Sequence, residues 1–116
     1  PLLRCAWLHD RENPTLQLSG ALDALEHTYC GLVAADGAPV AVRDGVTEAR
    51  ARAIAVRHGV RSYLGVPIRG ADGCVRGTLC HFDGRPRLVP PDEARVLAWV
   101  ATAYAGLLLA EPTPPA

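Results

Sequence analysis

Residues 61–83 read Arg-Ser-Tyr-Leu-Gly-Val-Pro-Ile-Arg, then Gly-Ala-Asp-Gly, then Cys-Val-Arg-Gly-Thr-Leu-Cys-His-Phe-Asp. No other stretch of the chain restricts the fold as strongly. Ser62, Leu64, Val66 and Ile68 alternate with Tyr63, Gly65, Pro67 and Arg69, so one face is apolar with a period of two. Asp72-Gly73 supplies the left-handed residues that a tight hairpin turn requires. A second strand, residues 75–82, then returns antiparallel. Pro67 has no N–H to give to a ladder, so the first strand is expected to be bulged or paired on one side only near it.

Around this hairpin the chain reads as short elements separated by turn residues. Residues 2–9 alternate as a strand, Arg11-Glu12-Asn13-Pro14 turns, and residues 15–19 form a second short strand. Residues 20–27 read as a loop. Thr28 is placed to cap a short helix over 29–35, which Asp36-Gly37 closes in a left-handed conformation. Residues 39–43 form a third strand, and Asp44-Gly45 turns the chain. Thr47 then caps an Ala/Arg-rich helix to His58, stopped by Gly59. After a loop at 84–89, Pro90-Pro91-Asp92-Glu93 starts a last helix, with proline in the first turn and two acids at the positive end of the dipole. That helix is expected to run to about Ala110.

At 116 residues, 49% of them hydrophobic, the chain is expected to form one domain over 1–110 with a proline-rich tail at 111–116. Twelve basic residues, every one of them Arg, balance twelve acidic ones. A neutral surface is the wrong footprint for a nucleic-acid binder, which carries a basic excess. With no Met in the chain, the numbering is expected to begin inside a longer product, and no signal peptide is visible. Cys5, Cys30, Cys74 and Cys80 form no CxxC pair and no zinc spacing, so all four are expected to be reduced thiols in a cytoplasmic protein, with no metal. Cys74 and Cys80 would share a strand face about 20 Å apart and so could not bridge each other.

The wording of the hairpin, Ser-Tyr-Leu-Gly-Val-Pro-Ile followed by Gly-Thr-Leu-Cys at 77–80, resembles the central hairpin of GAF domains. These are small α/β sensory modules of bacterial signalling proteins. The resemblance extends to Thr28-Tyr29-Cys30, to Pro39-Val-Ala-Val-Arg-Asp44 and to the helix leading to Arg61, and the order β-β-α-β-α-β-β-α is that of a GAF domain without its usual N-terminal helix. It implies an α+β fold: a central antiparallel sheet of five to six strands, helices on one face, and on the other a roof of loops and short helices over a small-molecule pocket.

On that resemblance the ligand-binding candidates are Tyr29, Cys30, Asp44, Arg61, Tyr63 and Cys80. Tyr29 and Cys30 open the roof helix, where a thiol near a helix N-terminus acquires a lowered pKa; ordinary packing is the competing reading. Asp44 and Arg61 end elements that converge on the pocket rim, with Arg61 as a fork for carboxylate or phosphate, or else as a partner of Asp44. Tyr63 presents its hydroxyl to the pocket or packs. Cys80-His81 is similar to the dipeptide that attaches bilins in photoreceptor GAF domains, but here it lies in a strand, with its two side chains on opposite faces. His9, His27, His58 and His81 are scattered; a single haem ligand, as some GAF sensors use, is the minor reading, and no cofactor is expected.

The enzymatic branch with the nearest wording is the free methionine-(R)-sulfoxide reductases, whose Val-Cys-Gly segment Cys30-Gly31 resembles. Their catalytic cysteine lies in a His-Ile-Ala-Cys segment where this chain has Gly59-Val60-Arg61-Ser62. Their substrate-holding aspartates lie in Leu-Asp-Ile-Asp where it has Leu79-Cys80-His81-Phe82. Without nucleophile or carboxylates, no enzymatic activity is expected. The Asn-Lys-Phe-Asp motif of cyclic-nucleotide GAF domains is missing as well.

The expectation is a ligand-sensing regulatory module that relays to an output domain through its last helix, or else a structural dimerisation module. In residues 96–110 only Thr102 and Tyr104 carry a polar group, and apolar side chains surround the helix. It is too short for a membrane span, which needs about 20 residues. One sheet covers one face only, so a homodimer is expected, with Trp99, Leu107 and Leu108 as candidate contacts.

Overall fold

The structure is a computed structural model that describes residues 2–5 and 22–110. The expected turn at 11–14, the strand at 15–19, the rest of the first strand, His9 and the tail at 111–116 lie outside the described residues. The hairpin forms as its alternation dictates, with β4 (Ser62–Arg69) antiparallel to β5 (Val75–Asp83). Of the two turn residues, Gly73 takes a positive φ, 80°, and Asp72 does not; Asp72 accepts a hydrogen bond from the Cys74 amide at 3.0 Å. The expectation for Pro67 holds: it pairs with Thr78 on β5 and not with β3, and the register shifts nearby, between Ile68 and Arg69.

β3 (Val40–Val42) adds to the other edge of β4, opposite Tyr63, Leu64 and Gly65. Among the described residues the sheet so formed has three strands, in the order β3-β4-β5, where five to six were expected for the whole sheet. β1 (Leu2–Arg4) and β2 (Leu22–Ala24) make a separate antiparallel pair, each only three residues long. β2 and the 3₁₀ turn Leu25–His27 occupy a segment expected to be loop; three residues are too few to show a strand period.

Both faces of β4 are covered, so Tyr63 and Gly65 are buried along with Leu64, Val66 and Ile68. On one face α1 (Tyr29–Asp36) and α2 (Arg52–His58) enclose Val33, Val42, Ala51, Ile54, Ala55 and Tyr63. On the other, α3 (Pro91–Ala103) lays Leu97, Ala98 and Ala101 on Val66 and Ile68. Thr28 caps α1 through Oγ, which accepts from the Gly31 amide at 3.1 Å, and Gly37 ends it with φ 61°. Gly59 ends α2 in the same way, with φ 67°.

Two helix boundaries differ from expectation. Thr47 does not cap α2. Its hydroxyl donates to the Asp44 carbonyl at 3.0 Å, closing a 3₁₀ turn over Gly45–Thr47, after which Glu48 is extended and α2 begins at Arg52. The last helix is not continuous to Ala110. Tyr104 leaves helical dihedrals (φ −115°, ψ 18°), and α4 (Ala105–Leu108) follows it. Leu108 and Leu109 pack against the Val66/Ile68 cluster, so Leu108, expected at a dimer contact, is half-buried.

Candidate functional site

Tyr29 is the first residue of α1, and the Thr28 cap fixes the angle at which it enters the interior. Its ring stacks on that of Tyr63 with centroids 4.7 Å apart and planes 11° from parallel. The two rings are 5% and 3% exposed, so they fill the space between roof helix and sheet. The Tyr29 hydroxyl donates to the Val60 carbonyl at 2.9 Å, satisfying the one polar group that this burial would otherwise strand. Burial raises its pKa, with Glu48 and Asp44 adding to the rise. Burial also raises that of Tyr63, and the Cys80 and Cys30 thiols push it further.

Two glycines make room for these rings. Tyr63 folds over Gly65, two residues along its own strand face, where an added Cβ would fall 2.6 Å from Tyr63 Cε1. A Cβ at Gly45 would strike the Tyr29 hydroxyl and stand 2.8 Å from Ala55 Cβ. Gly45 in turn donates its amide to the Arg61 carbonyl at 2.6 Å, which ties the 3₁₀ turn to the start of β4.

At that junction Asp44 and Arg61 pair with each other. Arg61 donates from Nε to Asp44 Oδ1 at 2.9 Å and from Nη2 to Oδ2 at 2.7 Å, a two-bond fork, while Oδ1 also accepts from the Val46 amide at 3.2 Å. The guanidinium holds the Asp44 carboxyl below its usual range, helped by the Val46 amide. The pair is the alternative to ligand binding that the sequence left open, and Asp44 is at the same time the cap of the 3₁₀ turn.

Cys30, the second residue of α1, places Sγ 3.4 Å from the Tyr63 hydroxyl. Cys80 stands on β5 directly opposite Gly65, hence beside the same hydroxyl. A hydrogen bond with Cys80 is the main cause lowering the Cys30 pKa, while Cys80 is raised by its bond to Cys30 and by burial. Cys30, Tyr63 and Cys80 thus form one cluster, which the sequence did not reveal because it depends on pairing register across the sheet. Its one sequence signal is Gly65, the gap into which Tyr63 folds. His81 lies on the opposite face, 3.4 Å from Glu93 of α3, as strand parity requires.

The structure therefore brings Tyr29, Cys30, Tyr63 and Cys80 together and sets Asp44 and Arg61 at the adjoining rim. Two surface hollows lie elsewhere. One of about 590 Å³ lies along α2 over Ala49, Arg52, Ala53, Val56 and Arg57, and one of about 350 Å³ lies between β5 and α3 over His81, Asp92, Glu93, Val96 and Leu97. Neither is lined by any of the six candidates. Glu93 was missed by sequence reasoning: it accepts from Arg87 at 2.9 Å and faces His81. No group of three or more His, Cys, Asp or Glu side chains among the described residues is arranged to hold a metal ion. No described helix is long and apolar enough to cross a membrane.

The sequence model of the GAF domain matches residues 4–107. A comparison with curated proteins finds no match. Among solved structures, the chain is similar to the GAF domain of an Acinetobacter phosphoenolpyruvate-protein phosphotransferase (20% identity, TM-score 0.65, covering 87% of this chain and 66% of that one). It is also similar to the type II free methionine-R-sulfoxide reductase of Thermoplasma acidophilum (18% identity, TM-score 0.64, covering 75% and 60%). A third similar structure is the free methionine-R-sulfoxide reductase of Neisseria meningitidis, solved with its substrate (23% identity, TM-score 0.60, covering 76% and 50%). The chain spans between half and two thirds of the length of these three proteins. At such identities the likeness is one of fold.

Proposed function

This chain belongs to the GAF domain family, and from that premise we propose that it is a regulatory module rather than an enzyme. In this reading it passes changes in the packing of α1 on the sheet, through α3 and α4, to a second copy of itself or to an output domain. The observation that carries the reading is a contrast between two faces. The interior face, where a GAF fold would take a ligand, is filled by Tyr29 on Tyr63. The outer face of α3 and α4 is apolar and open, with Val96, Trp99 and Leu107 at 63%, 64% and 72% exposure. Large apolar side chains exposed in this way mark a candidate contact surface.

The reductase chemistry of the two structural neighbours is not carried over. Where those enzymes' motifs place a catalytic cysteine and two substrate carboxylates, this chain has Arg61 or its neighbours, Cys80 and Phe82. An assay for NADPH-coupled reduction of free methionine sulfoxide is expected to show no turnover; turnover lost in Cys30→Ser would overturn the reading. A cytoplasmic location belongs to the same proposal.

A second reading, sensing of a small polar ligand, is favoured by the Asp44–Arg61 fork. The Arg61 side chain is 41% exposed at the edge of the Tyr29 site, so a carboxylate or phosphate could exchange for Asp44 on it. Ligand-induced thermal stabilisation that disappears in Tyr29→Ala would establish this reading over a self-filled interior.

A further inference from the structure

Cys30 and Cys80 are fifty residues apart in sequence and meet at one hydroxyl. Cys30 Sγ is 3.4 Å from Tyr63 Oη. Tyr63 lies over Gly65, and Cys80 is the residue paired directly across from Gly65. Side chains directly opposite in an antiparallel pair have Cβ atoms about 4.5–5.5 Å apart, which puts the Cys80 thiol against the Tyr63 hydroxyl and within reach of Cys30. Both cysteines pack on the same apolar cluster, and neither residue is fully buried.

We propose that Cys30 and Cys80 form a peroxide-responsive dithiol switch that stitches α1 to β5. The Cys30 thiolate attacks one oxygen of hydrogen peroxide; the O–O bond breaks, Cys30 becomes a sulfenic acid, and the departing hydroxide takes a proton to leave as water. The Cys80 sulfur then attacks the Cys30 sulfur. The S–S bond forms, the S–O bond breaks, and the hydroxide released combines with the Cys80 proton as a second water. Two thiols and one peroxide give one disulfide and two waters, with two electrons passing from sulfur to oxygen. The roles follow from position. Cys30 sits in the first turn of a helix, where the dipole favours the thiolate, and its hydrogen bond with Cys80 lowers its pKa further. Cys80, raised by that bond and by burial, keeps its proton until the sulfenic acid is there to be attacked. The switch goes beyond the regulatory reading and does not require a ligand in the interior.

The test is a peptide map of the native wild-type chain treated with one equivalent of hydrogen peroxide, alkylated, and digested with trypsin. Each cysteine falls in a different tryptic peptide: Cys5 in 5–11, Cys30 in 12–43, Cys74 in 70–76 and Cys80 in 77–87. The expected result is joint loss of alkylation at Cys30 and Cys80, with peptides 12–43 and 77–87 linked and the other two alkylated. A linkage that uses Cys5, or oxidation of exposed Cys74 while Cys30 and Cys80 remain alkylated, would overturn the proposal. In Cys80→Ser, dimedone is expected to trap a sulfenic acid at Cys30; a folded variant with no adduct there would overturn it as well.

Discussion

Tyr29 lies flat on Tyr63, 4.7 Å between ring centroids, and its hydroxyl reaches past the stack to the carbonyl of Val60. This one contact joins the first turn of α1, the start of β4 and the segment after α2. Truncating Tyr29 to Ala leaves a cavity among residues that are themselves pinned by strand pairing and caps, so little collapse is available. Tyr29→Ala is expected to cost about 3–5 kcal/mol in chemical denaturation, the range for large aromatic truncations in cores. Tyr29→Phe keeps the stack and removes one hydrogen bond, with an expected cost of about 1 kcal/mol.

Gly45 tests the same packing from the other side. Its φ is not left-handed, so Ala is tolerated by the backbone and the cost is steric alone. The new methyl would strike the Tyr29 hydroxyl and crowd Ala55 Cβ at 2.8 Å. Gly45→Ala is expected to destabilise by about 1–3 kcal/mol, as overpacking does. In Tyr29→Phe, where the obstructing oxygen is gone, the same substitution is expected to cost less, which a double-mutant cycle measures.

Asp44 gives the fold a pH dependence of known sign. Its folded pKa is held below the ordinary carboxyl value of 3.8, first by Arg61 and then by the Val46 amide, so the unfolded chain binds the proton more readily. The contribution is fully present above about pH 5 and is lost as pH falls through 3.8 towards the lower folded value. Urea midpoints measured between pH 6 and pH 3, a window set by that linkage, are expected to fall less steeply in Asp44→Asn than in wild type.

Much of the fold was legible where a residue had one physical job. Thr28, Gly37 and Gly59 marked helix ends because capping and left-handed dihedrals favour few residue types, and Asp72-Gly73 marked the hairpin for the same reason. What stayed hidden depended on partners far away in sequence. The start of α2 moved because the Thr47 hydroxyl was taken by Asp44, and beyond the break at Tyr104 Leu108 and Leu109 pack on the Val66/Ile68 cluster, with Leu109 against Gly77. The six candidate residues were chosen one at a time. That Cys30, Tyr63 and Cys80 share one hydroxyl follows from the register of β4 and β5, which alternation alone does not specify.

Relay through the outer face of α3 and α4 to a second copy of the chain has its sharpest test in light scattering at micromolar concentration. Wild type is compared with a Trp99→Glu/Leu107→Glu variant. Both side chains are mostly exposed, so a charge at either leaves the core intact. Wild type is expected to be a dimer and the variant a monomer, with the two chains equally folded by circular dichroism. A wild-type monomer, or a variant that remains dimeric, would contradict it.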